Sequence, residues 1–271
     1  MQLNLSAGTL HNRPLIEVTA LAAEIGFSSL EVIVSRDFEY GGGLPLLTQV
    51  QKILPVASLH APFYELNGWG DQIRQLQKTV ELALACNIPL VNFHPPDWMS
   101  LNRKFWRWMN QIEDFQQQVG QGQVLLTLEN MPATGPFGCH RYFLHRTADM
   151  LAFAARRNLF FTFDTAHMGT CRRNFLTDFH YFYNSGRIRN VHFSDYGYGR
   201  EHLIPGRGVL PLTRFLNHLQ RTGYNGILTL ELMPSEFPED FALIRASLIE
   251  IYNDLCRETC ADNYPKIEVA R

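Results

Sequence analysis

The chain has 271 residues, 46% of them hydrophobic, and a formal net charge of −2. That length suits one α/β barrel of about 250 residues, although two smaller domains would also fit, and the apolar content is ordinary for a large core. The near-neutral charge gives no whole-molecule pull toward nucleic acid or an anionic membrane, while a local basic patch stays open.

The amino-terminal MQLNLSAGTLHNRP has no basic start followed by an apolar stretch, so no secretory signal is read there, and LNLSAG is the first strand. Residues 15–26, LIEVTALAAEIG, repeat apolar side chains at helical spacing (Leu15, Val18, Leu21, Ala22, Ile25), with Gly26 placed as a carboxy-terminal cap. SLEVIV with Glu31 and VASLHAPF with His60 follow as strands, then a helix over 71–85 with Ile73, Leu76, Val80 and Leu84 on one face. LVNFHPP with His94 is the next strand and 101–119 the next helix. In its FWRWM stretch, exposed arginines over buried tryptophans are the simple amphipathic account. LLTLENMP with Glu129, a helix over 146–157, FFTFDTAH with Asp164 and NVHFSD with His192 continue the pattern. A helix over 210–221, ILTLELMP with Glu231 and a helix over 240–255 close it.

Strand and helix thus alternate about eight times, with Gly, Pro or Asn at most joints, which argues for a parallel sheet with helices outside it. An open doubly wound sheet would also alternate, but it would gather functional residues near its switch point. Here seven strands end in a carboxylate or imidazole, so the fold class expected is α/β, a single (β/α)₈ TIM barrel whose mouth collects those ends. The domain is taken as 1–260 and the tail 261–271 as a surface extension. No run approaches the roughly 18 apolar residues of a membrane span. The five cysteines, Cys86, Cys139, Cys171, Cys256 and Cys260, match no zinc or redox spacing and read as structural thiols. A reducing, cytoplasmic compartment is the default.

Glu129, Asp164, His192 and Glu231 end four consecutive strands. Three carboxylates and an imidazole suit Mn²⁺, Mg²⁺, Co²⁺ or Zn²⁺ with positions left for substrate or water. A lone His or Glu on a strand is usually a hydrogen-bonded or ion-paired residue, but four at matched positions are costly to bury unless they coordinate. His60 and His94 extend the arc. They either hold a second ion, with Glu129 bridging, or hydrogen-bond substrate, so one or two ions per chain are expected. His167 and His202 can orient a substrate oxygen, support a ligand or join a further metal. Glu31 reads as an anchor for a neighbouring loop.

The motifs HAPF at His60, NFHPP at His94, LEN at Glu129, DTAHM at Asp164 and His167, HFSD at His192, PGRG at Gly206 to Gly208 and LEL at Glu231 give the chain a further likeness. Together they resemble the xylose-isomerase-like TIM-barrel superfamily, which holds sugar isomerases and epimerases together with family-2 AP endonucleases of the endonuclease IV type. The resemblance to the epimerase branch implies one metal on Glu129, Asp164, His192 and Glu231, with the two Glu ligands moving protons. It also implies an Arg in the loop after strand seven, here Arg200, that holds a substrate oxygen. The plain alternative for Arg200 is a surface ion pair. The nuclease branch implies three zincs, adding His60 and His94 to one and His167 and His202 to the third. That branch expects an Asp two residues before His202, where this chain has Arg200, which cannot ligate zinc. Asp195 is the nearest substitute, at the wrong spacing.

Two chemistries compete. In the first, a metal-dependent isomerase or epimerase of carbohydrate metabolism acts on a sugar or sugar phosphate through an enediolate. Glu129 and Glu231 are then base and acid, and His167 or Arg200 steadies the oxyanion. His202, Arg200, Phe63 and Trp98 are its substrate contacts, with Tyr64 and Trp69 as further pocket walls. In the second, the same ligands activate water against the phosphodiester of abasic DNA. Arg103, Lys104 and Arg107, with Arg172 and Arg173, then supply the basic surface and Phe63 a wedge. The first is preferred, since Arg200 stands where the nuclease branch needs a zinc ligand, and the slight net acidity adds a small argument against DNA. A non-catalytic binding barrel is the third class, disfavoured by the complete ligand set. A small sugar is therefore the expected partner, a homo-oligomer stays open, and no membrane partner is expected.

Overall fold

Among the described residues, ten strands follow one another along the chain: β1 (Gln2–Ser6), β2 (Ser29–Ile33), β3 (Val56–His60), β4 (Leu90–Phe93), β5 (Leu125–Glu129), β6 (Phe160–Asp164), β7 (Ile188–Phe193), β8 (Asp195–Gly197), β9 (Arg200–Leu203) and β10 (Ile227–Leu230). All but β8 and β9 pair in parallel, each with its chain neighbours. β10 packs between β7 and β1, so the eight strands close into a barrel. β8 and β9 form a separate antiparallel hairpin above the mouth. This is a computed structural model, and it describes residues 1–98, 103–133, 135, 140–171 and 174–259. The tail beyond 260, Arg172, Arg173, Cys139 and Cys260 lie outside the described residues.

The outer layer is α1 (Leu15–Ile25), α2 (Gly43–Gln51), α3 (Gln72–Ala85), α4 (Arg103–Gln111), α5 (Phe115–Gln118), α6 (Thr147–Arg156), α7 (Thr165–Thr170), α8 (Phe175–Asn184), α9 (Leu212–Arg221) and α10 (Phe241–Thr259). α1 ends as its sequence suggests: Gly26 adopts φ 105°, and its N–H bonds the Ala22 carbonyl. The helix expected over 101–119 is broken. Asp114 leaves helical conformation, accepts from the Gln117 amide at 3.0 Å and starts α5 afresh. In α4, Phe105 and Met109 are buried, Trp106 and Trp108 half-buried, and Arg103, Lys104 and Arg107 exposed, as an amphipathic helix requires. α2, α7, α8 and the β8–β9 hairpin were not anticipated.

The strands are not apolar on both faces. Asn4, Ser29, Ser58, Asn92, Thr127, Thr162, Asn190 and Thr229, one from each barrel strand, are fully buried inside. They satisfy one another: Thr162 Oγ1 donates to Thr127 Oγ1 (2.8 Å), Thr229 Oγ1 to Asn190 Oδ1 (2.8 Å), and Ser58 Oγ to Glu31 Oε2 (2.9 Å). The apolar partners in between, such as Leu59, Val91, Leu128, Phe163, Val191 and Phe193, are buried against the helices. Phe163 and Phe179 pack with Phe215 there, the last two with ring centroids 4.4 Å apart. Two residues beyond each belt residue, on the same inward face, come Ser6, Glu31, His60, His94, Glu129, Asp164, His192 and Glu231. The strand period therefore places the whole polar set on the upper layer of the barrel interior.

Candidate metal centre

Glu129, Asp164, His192 and Glu231 offer ligand atoms that all lie within 4.8 Å of one another. Two further groups meet the same test: His60, His94 and Glu129, and Asp164, His167 and His202. Glu129 and Asp164 are each shared between groups.

Hydrogen bonds from below fix which atom of each ring faces the site. His192 turns Nε2 toward Glu31 Oε2 (3.2 Å), an oxygen that also accepts from Ser58 Oγ and Asn190 Nδ2. His60 points Nδ1 at the Ala61 carbonyl (2.8 Å), which leaves Nε2 for the centre, 3.1 Å from His94 Nε2 and 3.3 Å from Glu129 Oε2. His167 Nδ1 lies between the Asn130 carbonyl (3.0 Å) and Glu129 Oε1 (3.1 Å), which turns Nε2 toward Glu201 Oε2 (3.8 Å). This is how carboxylates and carbonyls orient metal-binding imidazoles. Glu31 thus braces the His192 ring across the barrel rather than a neighbouring loop.

A divalent ion fits this donor set on one specific observation. His192 Nδ1 lies 2.7 Å from Glu231 Oε2 and 3.6 Å from Asp164 Oδ2. Yet all three atoms are buried and none completes a hydrogen bond. Buried polar atoms are rarely left so, and donor atoms converging this closely suit a cation. The electrostatics agree. Burial alone would raise Glu129 and Glu231, but the neighbouring imidazoles, His192 foremost, bring both below the usual carboxylate range. Burial works against charge on His167, yet Asp164 and Glu129 lift it to about 10, and His192 is raised well above an ordinary imidazole by Glu231, Glu31 and Glu129. His60 is raised by Glu129, whereas His94 is lowered, burial outweighing the same carboxylate. The cage favours positive charge at its centre, whether a proton or a metal ion.

The centre opens into a cavity of about 750 Å³ lined by His60, His94, Glu129, His167, His202 and Glu231 at its floor. Phe63 and Tyr64 wall it, Phe63 stacking on His94 with centroids 5.4 Å apart. Arg200, Trp98 and Trp69 do not line it. Arg200 turns outward to pair with the buried carboxylate of Glu236, which Arg207 also reaches (3.4 Å). Trp98 is 46% exposed and donates Nε1 to the His140 carbonyl, and Trp69 is buried under the Phe38 carbonyl. For Arg200, the surface ion pair is therefore the observed arrangement, and substrate contact by Arg200 or Trp98 is not supported. Asp195 is no substitute ligand. Its two oxygens accept main-chain N–H groups of Tyr196, Gly206, Gly208 and Leu210 at 2.8–3.0 Å, so the PGRG segment wraps it.

Several groups in and around the site had no clear signal in the sequence. Glu201, next to His202 on β9, brings Oε2 to 3.8 Å from His167 Nε2, and burial pushes its carboxyl up. His202 itself takes φ 54°, a left-handed conformation rare outside glycine, and its ring meets His167 with centroids 5.1 Å apart. Asn92 donates to Glu129 Oε2, and Tyr142, Arg13 and Arg36 also line the cavity.

A closed parallel barrel whose carboxylates and imidazoles gather at the carboxy-terminal ends of its strands defines the class, a TIM barrel with candidate metal-ligand groups at its mouth. More narrowly, residues 19–248 match the model of the xylose isomerase-like TIM barrel family, and the chain belongs to that family. An uncharacterized protein of Mycobacterium leprae (strain TN) is 26% identical over 249 residues, spanning 79% of this chain and 82% of the relative. A D-tagatose 3-epimerase-like protein superposes with TM-score 0.68 at 21% identity, covering 96% of this chain and all of that one. An AP endonuclease of family 2 from Brucella melitensis superposes with TM-score 0.67 at 19% identity, covering 86% and 92%. At these identities the structures share the fold.

Proposed function

We propose that the protein is a metal-dependent isomerase or epimerase of a sugar or sugar phosphate. The observation that supports it most is the convergence of Asp164 Oδ2, His192 Nδ1 and Glu231 Oε2, none of them hydrogen-bonded, beside Glu129 at the floor of a cavity. Glu129, Asp164, His192 and Glu231 would hold the ion, of Mn²⁺, Co²⁺, Zn²⁺ or Mg²⁺ character. An ion bound there would supply Lewis acidity and offset developing negative charge on substrate oxygens. Glu231 and Glu129 both face the cavity; one takes the proton from the carbon beside the carbonyl and the other returns it. His167, its Nδ1 held by Asn130, presents Nε2 to a developing oxyanion. Phe63 and Tyr64 exclude water from that carbon.

A second reading, hydrolysis of DNA at abasic sites, is favoured by the His60–His94–Glu129 group, which could hold another ion. Against it, Arg103, Lys104 and Arg107 sit on an outer helix away from the cavity, and Lys104 is paired with Asp71.

Elemental analysis of the purified protein, with assays on a ketose panel and on an abasic duplex, separates the two. One or two Mn²⁺ or Co²⁺ ions with epimerisation and intact DNA is the expected result. Three tightly held zincs with strand cleavage would overturn it. Within the first reading, Glu231→Gln should lower kcat by about 10²–10⁴-fold, and retained turnover would remove Glu231 from proton transfer.

A further inference from the structure

The cavity above the metal-ligand groups runs outward along the loops that follow β1 and β2, and that wall carries Arg13 and Arg36. Most arginines near the barrel mouth are neutralised: Arg141 by Asp97, and Arg200 and Arg207 by Glu236. Arg13 and Arg36 are not. Arg13 donates Nη2 to the Glu239 carbonyl (2.8 Å) and lies over the Phe241 ring, with no carboxylate in an ion pair. The exposed Arg36 side chain is in no ion pair among the described residues, although its charge is felt by Glu39 and Tyr64. Asp37 lies on the same wall and Glu39 is close enough to Arg36 to interact with it, but the Glu39 oxygens are taken up by the Asn67 amides, and neither guanidinium is in an ion pair among the described residues.

Arg13 has a second feature beside it. α1 begins two residues later, capped by Pro14 with no side-chain hydrogen bond, and Leu15 lines the same cavity. Its first-turn amides therefore add to the positive potential, although Glu17, exposed in that turn, works against it. The cavity is polarised end to end, with a carboxylate-rich floor suited to a cation and an outer wall suited to an anion. Its volume of about 750 Å³ leaves room for more than a small neutral sugar.

We infer that Arg13 and Arg36 form an anion subsite, and that the substrate is a hydroxy-carbonyl compound ending in a phosphate or carboxylate. This rests on the sugar isomerase reading for the group at the floor. Guanidinium forks match either anion, and charge-assisted hydrogen bonds are the strong ones. The basic residues singled out from sequence, Arg103, Lys104 and Arg107, do not line this cavity.

The test is calorimetric binding to the metal-loaded protein of two matched pairs, ribulose 5-phosphate with ribulose and tagaturonate with tagatose. At least a tenfold preference for the anionic member of one pair is expected. Preference confined to the first pair identifies a phosphate, and preference confined to the second a carboxylate. The doubly substituted R13M/R36M protein, its fold checked by metal content and melting, should bring the preferred ratio close to one. Anionic and neutral members binding within twofold in both pairs, or a ratio that survives in R13M/R36M, would overturn the subsite. The readout does not require turnover. Anion preference without epimerisation of any ligand keeps the subsite and sinks the isomerase reading. Epimerisation of neutral sugars without preference does the reverse.

Discussion

Glu129 is placed so that its two oxygens serve different neighbours. Oε2 faces His60 (3.3 Å) and His94 (3.5 Å), whereas Oε1 faces His167 (3.1 Å) and His192 (3.4 Å). If two ions bind, it bridges them, and substitutions should separate by stoichiometry. His94→Ala should lose one ion and keep the one beside Glu231, whereas Glu129→Ala should lose both, as read by elemental analysis after dialysis. An unchanged metal content in His94→Ala would leave that imidazole a substrate contact only. Glu31 acts one step back. Glu31→Gln should weaken metal affinity by about 10–100-fold, because it no longer holds His192 Nε2 with full charge. The carboxylates and imidazoles themselves were legible in the sequence, since each breaks an apolar strand at its end. What was hidden was rotamer direction. Arg200 carries the right chemistry for substrate contact, but the buried Glu236, thirty-six residues further on, competes for it, and no local pattern announces that partner.

Strand and helix order were read from periodicity, which is strong where an element alternates cleanly. It failed in three places for physical reasons. The inner face of the barrel is a hydrogen-bonded belt of Asn, Ser and Thr, so the runs look apolar only because small polar residues interrupt them without charge. α8 is so rich in aromatics, in the run FLTDFHYFYN, that it lacks a plain polar stripe. The short β8–β9 hairpin is followed by a loop tied back to Asp195, an arrangement that no strand pattern announces. That side chain is buried and accepts four main-chain N–H groups, and a Cβ at Gly208 would collide with it. Asp195→Ala would strand these donors. The expected cost is about 3 kcal/mol, since buried unpaired donors cost about 1–3 kcal/mol each and part of the loop can relax into water. For a chain of this size that is a fall in Tm of about 6–12 °C, measurable by differential scanning calorimetry. Because the hairpin carries Glu201 and His202, the variant should also lose substrate affinity. A normal Tm would mean that the PGRG loop is held by other contacts.

The molecule as a whole concentrates an electrostatic problem in one place. Its formal net charge is only −2, so self-repulsion across the surface is small. Glu31, Glu129 and Asp164, however, are buried together at the mouth with Glu231 half-buried beside them. Buried carboxylates are tolerated when they are paired or coordinated, and the histidines among them compensate only in part, since Asp164 Oδ2 and Glu231 Oε2 stay unbonded. A divalent ion that binds only the folded chain would stabilise it by RT ln(1 + [M]/Kd), about 4 kcal/mol at a thousandfold excess over Kd. At about 2–4 °C per kcal/mol, stripping the metal should lower Tm by about 8–16 °C, and Mn²⁺, Co²⁺ or Zn²⁺ should restore it. Thermal melts with and without chelator, with removal verified by elemental analysis, measure this. The belt of Asn, Ser and Thr beneath the site makes no demand for an ion, so the barrel should remain folded at 25 °C when stripped, with the loss confined to the mouth. A Tm indifferent to verified metal removal would mean that the imidazolium charges alone balance the carboxylates, and that the cage was built around protons rather than a cation.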